Sequence, residues 1–353
     1  MSLRVTVRGA GIIGLSVAEE LLRRGHLVRV VDPVPAQGAS FAAAGMLSPA
    51  AEVWHGEDDV LRLGLASLAL WPDFARRLGV RLADTGTLVV GADAGDLQQV
   101  GRQVDLLARH GVQVEEWSRR QVVEREPSLD RVVGGVWVPG EGSVDPRQVC
   151  AALLERVRVE PEEPADWRAD VTVIATGAVL PEPHRHLVRG VRGEILRVRT
   201  DDPPSRTVRG WVFGEAVYLV PRRRGSAGLA EVVVGATSEE HDDRPVVTAG
   251  GVLRLLAAAR VLWPALDRAE LLETTARDRP GTLDGLPLIG PTDRPGEWLA
   301  AGHYRHGVLL APLTARLIAE AVDHPYSAVD PAVDPRRFTP REPGGTHALH
   351  AQR

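Results

Sequence analysis

One local unit constrains this chain more than any other. Arg4-Val5-Thr6-Val7-Arg8 alternates and is rich in β-formers, so it predicts a strand. Gly9-Ala10-Gly11-Ile12-Ile13-Gly14 follows at once, then a helical stretch from Leu15 to Arg24 that stops at Gly25. A second strand, Leu27 to Val31, ends at Asp32, 18 residues after the last glycine. Strand, G-x-G-x-x-G, helix, strand and acid form the order of a dinucleotide-binding βαβ unit. The glycines permit a tight turn and close backbone approach, the helix N-terminus faces a pyrophosphate, and the acid accepts from a ribose hydroxyl. A glycine-rich turn alone also fits ordinary strand-on-helix packing. Here the whole context is present, and it argues for dinucleotide binding.

Asp32 disfavours a 2′-phosphate but leaves FAD and NAD both open. The next segment separates them. From Gly38 to Pro49 the chain is a run of small residues, GASFAAAGMLSP, where an NAD domain would usually begin another βα unit. Small side chains let backbone lie against a flat ring such as an isoalloxazine; the alternative is an Ala-rich helix start.

Composition excludes several chemistries. All 42 basic residues are Arg, and the chain has neither Lys nor Asn. A pyridoxal phosphate enzyme, a Schiff-base aldolase and a P-loop NTPase each need a Lys. Without Asn there is no N-glycosylation acceptor. Cys150 stands alone, so no intramolecular disulfide or Cys-rich zinc site can form. A formal charge of −5 argues against a nucleic-acid partner. No apolar run approaches a membrane span, and the chain enters a strand almost at once. A cytoplasmic enzyme is the expectation.

GAGIIGLSVAEELLRRGHLVRVVD followed by GASFAAAGMLSPAAE resembles the FAD-dependent D-amino-acid oxidase superfamily, specifically its glycine oxidase (ThiO) branch. RPGTLDGLPLIG (279–290) and GHYRHGVLLAP (302–312) match two C-terminal motifs of that branch, and the resemblance spans most of residues 4–325. It implies an α/β fold in which a Rossmann-type FAD-binding domain is interleaved with an α+β substrate domain on a mainly antiparallel sheet. The expected FAD domain is 1–83, 141–190 and 276–339; the substrate domain is 84–140 and 191–275; 340–353 is a flexible tail. Strands are expected near 85–90, 112–117, 132–138, 171–178, 192–199, 216–220 and 231–236. One helical stretch is expected over 58–78, others over 96–110, 148–156, 247–263 and 309–321. Residues 157–170 are shorter than the matching stretch of relatives, and Val157 or Val159 is left as a candidate adenine contact.

The resemblance also implies site roles. Arg279 takes the carboxylate-binding position, Arg305 that of a second substrate-side arginine, and Tyr218 that of a phenol beside the carboxylate. Taken singly, each Arg reads as a surface residue, and Tyr218 as strand packing. A guanidinium fork suits a carboxylate because it binds by two parallel hydrogen bonds and stays charged. Both arginines are read as lying in glycine-bracketed turns. Non-covalent FAD is expected against Gly9, Gly11, Ile12, Ile13, Gly14, Asp32, Pro33, Ala39, Ser40, Ala44, Gly45, Met46, Thr176 and Gly177. The segment His303, Tyr304, Arg305, His306, Gly307, Val308 and Leu309 completes it. Asp278 is expected to pair with a neighbouring Arg. Neither His303 nor His306 is needed as a base, no metal is expected, and Cys150 reads as a buried structural thiol.

The implied reaction converts glycine or a similar small amine to an imine, then to a 2-oxo acid and ammonia, with O2 reduced to H2O2, in support of thiamine thiazole formation. N-substituted glycines, D-amino acids, a quinone acceptor, or flavin binding without turnover are the alternatives. Relatives suggest a homotetramer or dimer.

Overall fold

The computed structural model describes residues 2–338, apart from 224, 226, 227, 241, 242 and 326, so the expected tail at 340–353 lies outside the described residues. Two large sheets organise the chain. The first has six strands in the order Leu288–Pro291, Glu297–Ala301, Val171–Ile174, Arg4–Arg8, Leu27–Val31, Val159–Glu160. All its pairs are parallel except the hairpin formed by the first two. Helices Ile12–Arg23 and Gly307–Asp323 pack on each other beside this sheet. Val5, Val7, Val173, Leu15, Val17 and Ile318 are buried between them. Central parallel strands covered in this way need mostly apolar residues, which is why 171–174 reads as Val-Thr-Val-Ile.

The second sheet has eight strands, ordered Glu270–Gly281, Arg189–Thr200, Ala230–Gly235, Glu215–Pro221, Thr207–Val212, Thr87–Gly91, Gly134–Val138, Glu115–Ser118. Every pairing is antiparallel except that of Thr207–Val212 with Thr87–Gly91. Helix Ala249–Leu262 packs on it through Leu255, Ala259 and Leu262. A small third sheet joins Met46–Leu47, Gly142–Val144 and Leu82–Ala83.

The hairpin of Thr207–Val212 and Glu215–Pro221 turns through Phe213 and Gly214, with φ of 54° and 85°. Two positive φ values are what the favoured two-residue hairpin turn demands, and Asn-Gly is its usual solution. This chain has no Asn. Instead the carboxylate of Asp96, in helix Ala94–Arg109, accepts both turn amides, from Phe213 at 2.8 Å and Gly214 at 2.9 Å.

Several expectations need correction. The expected helix over 58–78 is two, Asp58–Leu68 and Trp71–Leu78. Pro72 has no N–H to give the Leu68 carbonyl, which favours a break there, and it sits in the first turn of the second helix, where that missing donor costs nothing. Arg277 and Arg279 do not sit in a turn. They belong to the 12-residue strand Glu270–Gly281, at the edge of the eight-stranded sheet, where Pro280 opposes Gly190. An edge strand tolerates the missing proline donor. The expected domain boundaries at 190/191 and 275/276 therefore fall inside continuous strands. Val157 is buried in the core and Val159 pairs beside Val30, and neither lines the cavity described below. No helix among the described residues is long and apolar enough to cross a membrane.

Candidate active site

A cavity of about 620 Å³ runs between the two large sheets. One end is lined by Val31, Asp32, Pro33, Ala36 and the turn Ala175-Thr176-Gly177. Its middle passes Gly9, Gly11, Ile12, Ile13, Ala39 and Ser40, then Ala44-Gly45-Met46. Its far end is bounded by His303, Tyr304, Arg305, Gly307 and Val308 on one side, and by the eight-stranded sheet on the other.

The nucleotide end is pre-organised. Asp32 accepts the amide of Ala10 at 2.7 Å and of Val34 at 2.8 Å, which fixes the carboxylate at the end of its strand. Ser40 Oγ accepts the Ile12 amide at 3.0 Å. The next first-turn amide, that of Ile13, has no carbonyl within its own helix, and a pyrophosphate is the partner such a helix start suits. The cavity, its glycine approach and this helix start fit FAD.

Gly14 does not face the cavity. A Cβ there would run into the Gly9 carbonyl and lie 3.3 Å from the Ala175 side chain, so this glycine serves close packing of helix on strand. Leu309 is also turned away. Its helix carries Pro312 within the run Gly307–Asp323, and the Leu309 carbonyl accepts Ser67 Oγ at 2.6 Å and Trp71 Nε1 at 2.9 Å. These bonds anchor the loop before it, in which Tyr304 takes a φ of 48°. His306 is buried away from the cavity, and neither ring nitrogen has a hydrogen-bond partner among the described residues. Burial, with the Arg305 charge next, holds its imidazole well below the usual range. His303 lines the cavity, and its Nε2 lies 2.9 Å from Thr314 Oγ1. Burial pushes it down to about 3. A ring so hard to protonate is poorly matched to a base working near neutrality.

The opposite wall, where the small-residue segment passes, is held from behind. Arg222 donates to the Ala44 carbonyl at 2.7 Å and to that of Val144 at 3.2 Å. Arg147 donates to Phe41 O at 2.9 Å and grips Glu273 at 2.6 and 2.9 Å. The Phe41 ring has Arg147 3.6 Å and Arg277 5.6 Å from its centroid.

The sheet forms the floor of the far end, and two of its glycines act as seats. The Arg279 guanidinium lies where a side chain at Gly193 would be, and Tyr218 lies over its cross-strand neighbour Gly235. Arg279 Nη1 donates to two carbonyls, Thr237 at 3.1 Å and Arg192 at 3.3 Å. No carboxylate among the described residues forms an ion pair with Arg279. Asp278 is committed elsewhere, to the buried Arg192 at 2.5 Å, as expected for a pair with a neighbouring Arg. Burial raises the Tyr218 phenol, with the Arg279 charge pulling the other way. Arg305 differs from Arg279: it lines the cavity, but its Nη2 donates to Glu57 at 2.5 Å and to the Glu52 carbonyl at 3.2 Å. Cys150 is buried in the core, not at the cavity, and burial pushes its thiol up to about 12.

Sequence reasoning placed pocket-size determinants in the Met46–Trp54 loop without singling out Glu52 or Trp54, and it missed Arg209 and Gly193; all four line the cavity. Glu52 and Arg209 form an ion pair at 2.6 Å. Beneath them the buried Glu141 accepts the amides of Ala50 and Ala51 at 2.7 and 3.0 Å, and burial raises its carboxyl to about 7. Glu52 closes the LSPAAE segment, which was the one available signal. Arg209, in a strand of a chain with 42 arginines, carried none.

Comparison with known proteins agrees with this geometry. The chain is 31% identical to a glycine oxidase of Geobacillus kaustophilus over 92% of its length and 94% of that protein's. It is 35% identical to a Rhizobium etli ThiO oxidoreductase ascribed to thiamine biosynthesis, over 90% of this chain and 95% of that one. The crystal structure of the Geobacillus kaustophilus glycine oxidase superposes with a TM-score of 0.82 at 30% identity, covering 94% of this chain and 98% of that chain. The FAD dependent oxidoreductase family model matches residues 4–321. This chain belongs to the FAD dependent oxidoreductase family, whose members bind FAD.

Proposed function

We propose that this protein oxidises glycine, or an amino acid of similar size, to its imine, which water then converts to the 2-oxo acid and ammonia. The observation that carries the reading is the Arg279 guanidinium, free of any carboxylate partner among the described residues, seated over Gly193 beside the Tyr218 phenol at the end of a dinucleotide cavity. Arg279 holds the substrate carboxylate by paired charge-assisted hydrogen bonds, and Tyr218 contributes a third donor. Arg305, held by Glu57, closes the substrate end rather than meeting the carboxylate alone. FAD, when bound, supplies the hydride acceptor. The amides at the start of helix Ile12–Arg23 hold its pyrophosphate, and Asp32 its ribose. The start of helix Gly307–Asp323 presents its positive end to the ring side, where negative charge is stabilised. O2 is the terminal acceptor and H2O2 the by-product. The named relatives support an output to thiamine thiazole assembly.

The test is anaerobic addition of glycine to the purified holoprotein. Bleaching of the flavin followed by stoichiometric peroxide on admission of air is expected. Bleaching without peroxide would make the protein a dehydrogenase, and no bleaching by glycine, N-methylglycine or D-alanine would refute catalysis.

A further inference from the structure

Beyond Tyr218 the cavity does not end at an apolar wall. Arg209 is the direct cross-strand partner of Tyr218, and its Nη1 donates to Glu52 Oε1 at 2.6 Å. Both side chains are largely buried. Nε and Nη2 of Arg209, and Oε2 of Glu52, make no hydrogen bond among the described residues, and these atoms are not sealed from the cavity that both residues line. Trp54 also lines it and packs edge-on against Trp211 at 5.2 Å. A second, smaller cavity of about 30 Å³ is lined by the same Glu52, Trp54 and Arg209.

A buried ion pair with unused valences on both partners sets a specific demand. A second carboxylate could take the free Nε and Nη2 of Arg209, but it would set a like charge against Glu52 Oε2 in a largely buried site, with one cation left to compensate two anions. A cation would do the reverse. A neutral group that both donates and accepts satisfies Glu52 and Arg209 at once and leaves their pairing intact. The inter-strand step from Tyr218 to Arg209 is about 5 Å, the span of a short substituent on the substrate nitrogen.

We propose that the Arg209–Glu52 pair is a specificity subsite for the far end of an N-substituted glycine, and that it selects a neutral tail ending in a carboxamide over the isosteric carboxylate. This rests on the carboxylate anchor proposed above, so the test separates the two. Titration calorimetry on the holoprotein compares three ether analogues that cannot be oxidised: methoxyacetate, carbamoylmethoxyacetate and diglycolate. The carbamoyl compound is expected to bind at least tenfold more tightly than either of the others, the gain of hydrogen bonds to charged partners. Anaerobic flavin reduction should rank N-(carbamoylmethyl)glycine above N-methylglycine and iminodiacetate in the same order. In the double variant Glu52→Leu/Arg209→Leu the preference should vanish while methoxyacetate binding persists. Diglycolate binding as tightly as the carbamoyl compound, or no difference among the three, overturns the subsite whether or not the variant folds. Failure of methoxyacetate and glycine to bind at all would instead strike the carboxylate anchor.

Discussion

Gly193→Ala tests the substrate anchor without touching a charged residue. Gly193 lies in strand Arg189–Thr200 outside the positive-φ region, so alanine fits the backbone unstrained. Its methyl, however, would stand 2.5 Å from Arg279 Nη2. Non-bonded carbon contacts settle near 3.5 Å, so the guanidinium must retreat by roughly 1 Å. Its bonds to Thr237 and Arg192, already 3.1 and 3.3 Å, do not survive that move. Loss of one charge-assisted bond to the substrate carboxylate costs about 1.5–3 kcal/mol, which is a rise in KM for glycine of roughly ten- to a hundredfold. The assay is initial-rate peroxide release against glycine concentration, with flavin absorbance recording FAD content. On an Arg279→Ala background, Gly193→Ala should add at most about 0.5 kcal/mol, since the two act through one group. A KM within twofold of wild type, with FAD retained, would refute Arg279 as the anchor.

Other consequences are equally open to measurement. Glu141 is harder to ionise folded than unfolded, so its contribution to stability is complete below pH 4.5 and lost as pH rises through about 7. Relative to Glu141→Gln, the wild type should lose about 3 kcal/mol across that window, and parallel unfolding curves would contradict this. Glu273, held low first by its hydrogen bond from Arg147, behaves oppositely, and its contribution is lost as pH falls below the usual carboxylate range. Glu273→Gln should cost about 1 kcal/mol in chemical denaturation at pH 7 and nothing in strong acid. Phe213→Asn puts a residue that tolerates positive φ into the hairpin turn and should stabilise by about 1 kcal/mol; a destabilised variant would mean that contact of the ring with Arg131 outweighs the turn. Cys150 should resist thiol reagents in the native holoprotein and react fully after unfolding.

The nucleotide end was legible because all of it but the Ala175-Thr176-Gly177 turn lies within the first 40 residues, where turn chemistry and periodicity act locally. The substrate end was legible only through motif resemblance, and its local form was misread. Arg-Asp-Arg-Pro-Gly has the composition of a turn, yet it is a strand, because nothing in the string reveals that the strand is an edge. Gly14, His306 and Leu309 belong to matching motifs but serve packing, since a motif fixes a backbone path and not the direction of each side chain. Glu52, at the end of the short helix Pro49–Glu52, and Arg209, on a sheet strand, come from segments about 150 residues apart, and only the packing of that helix on the sheet joins them.

The turn at Phe213-Gly214 has a consequence for how such an enzyme can change. Tyr218 and Arg209 ride on one hairpin whose closure is guaranteed from outside, by the Asp96 carboxylate, while Arg279 sits on the far edge of the sheet. The hairpin is thus a partly exchangeable part: rewriting its cavity-facing positions other than Tyr218 should alter which tails are accepted while the nucleotide unit and the Arg279 grip stay as they are. A library confined to the hairpin would vary substrate length without re-engineering the cofactor site.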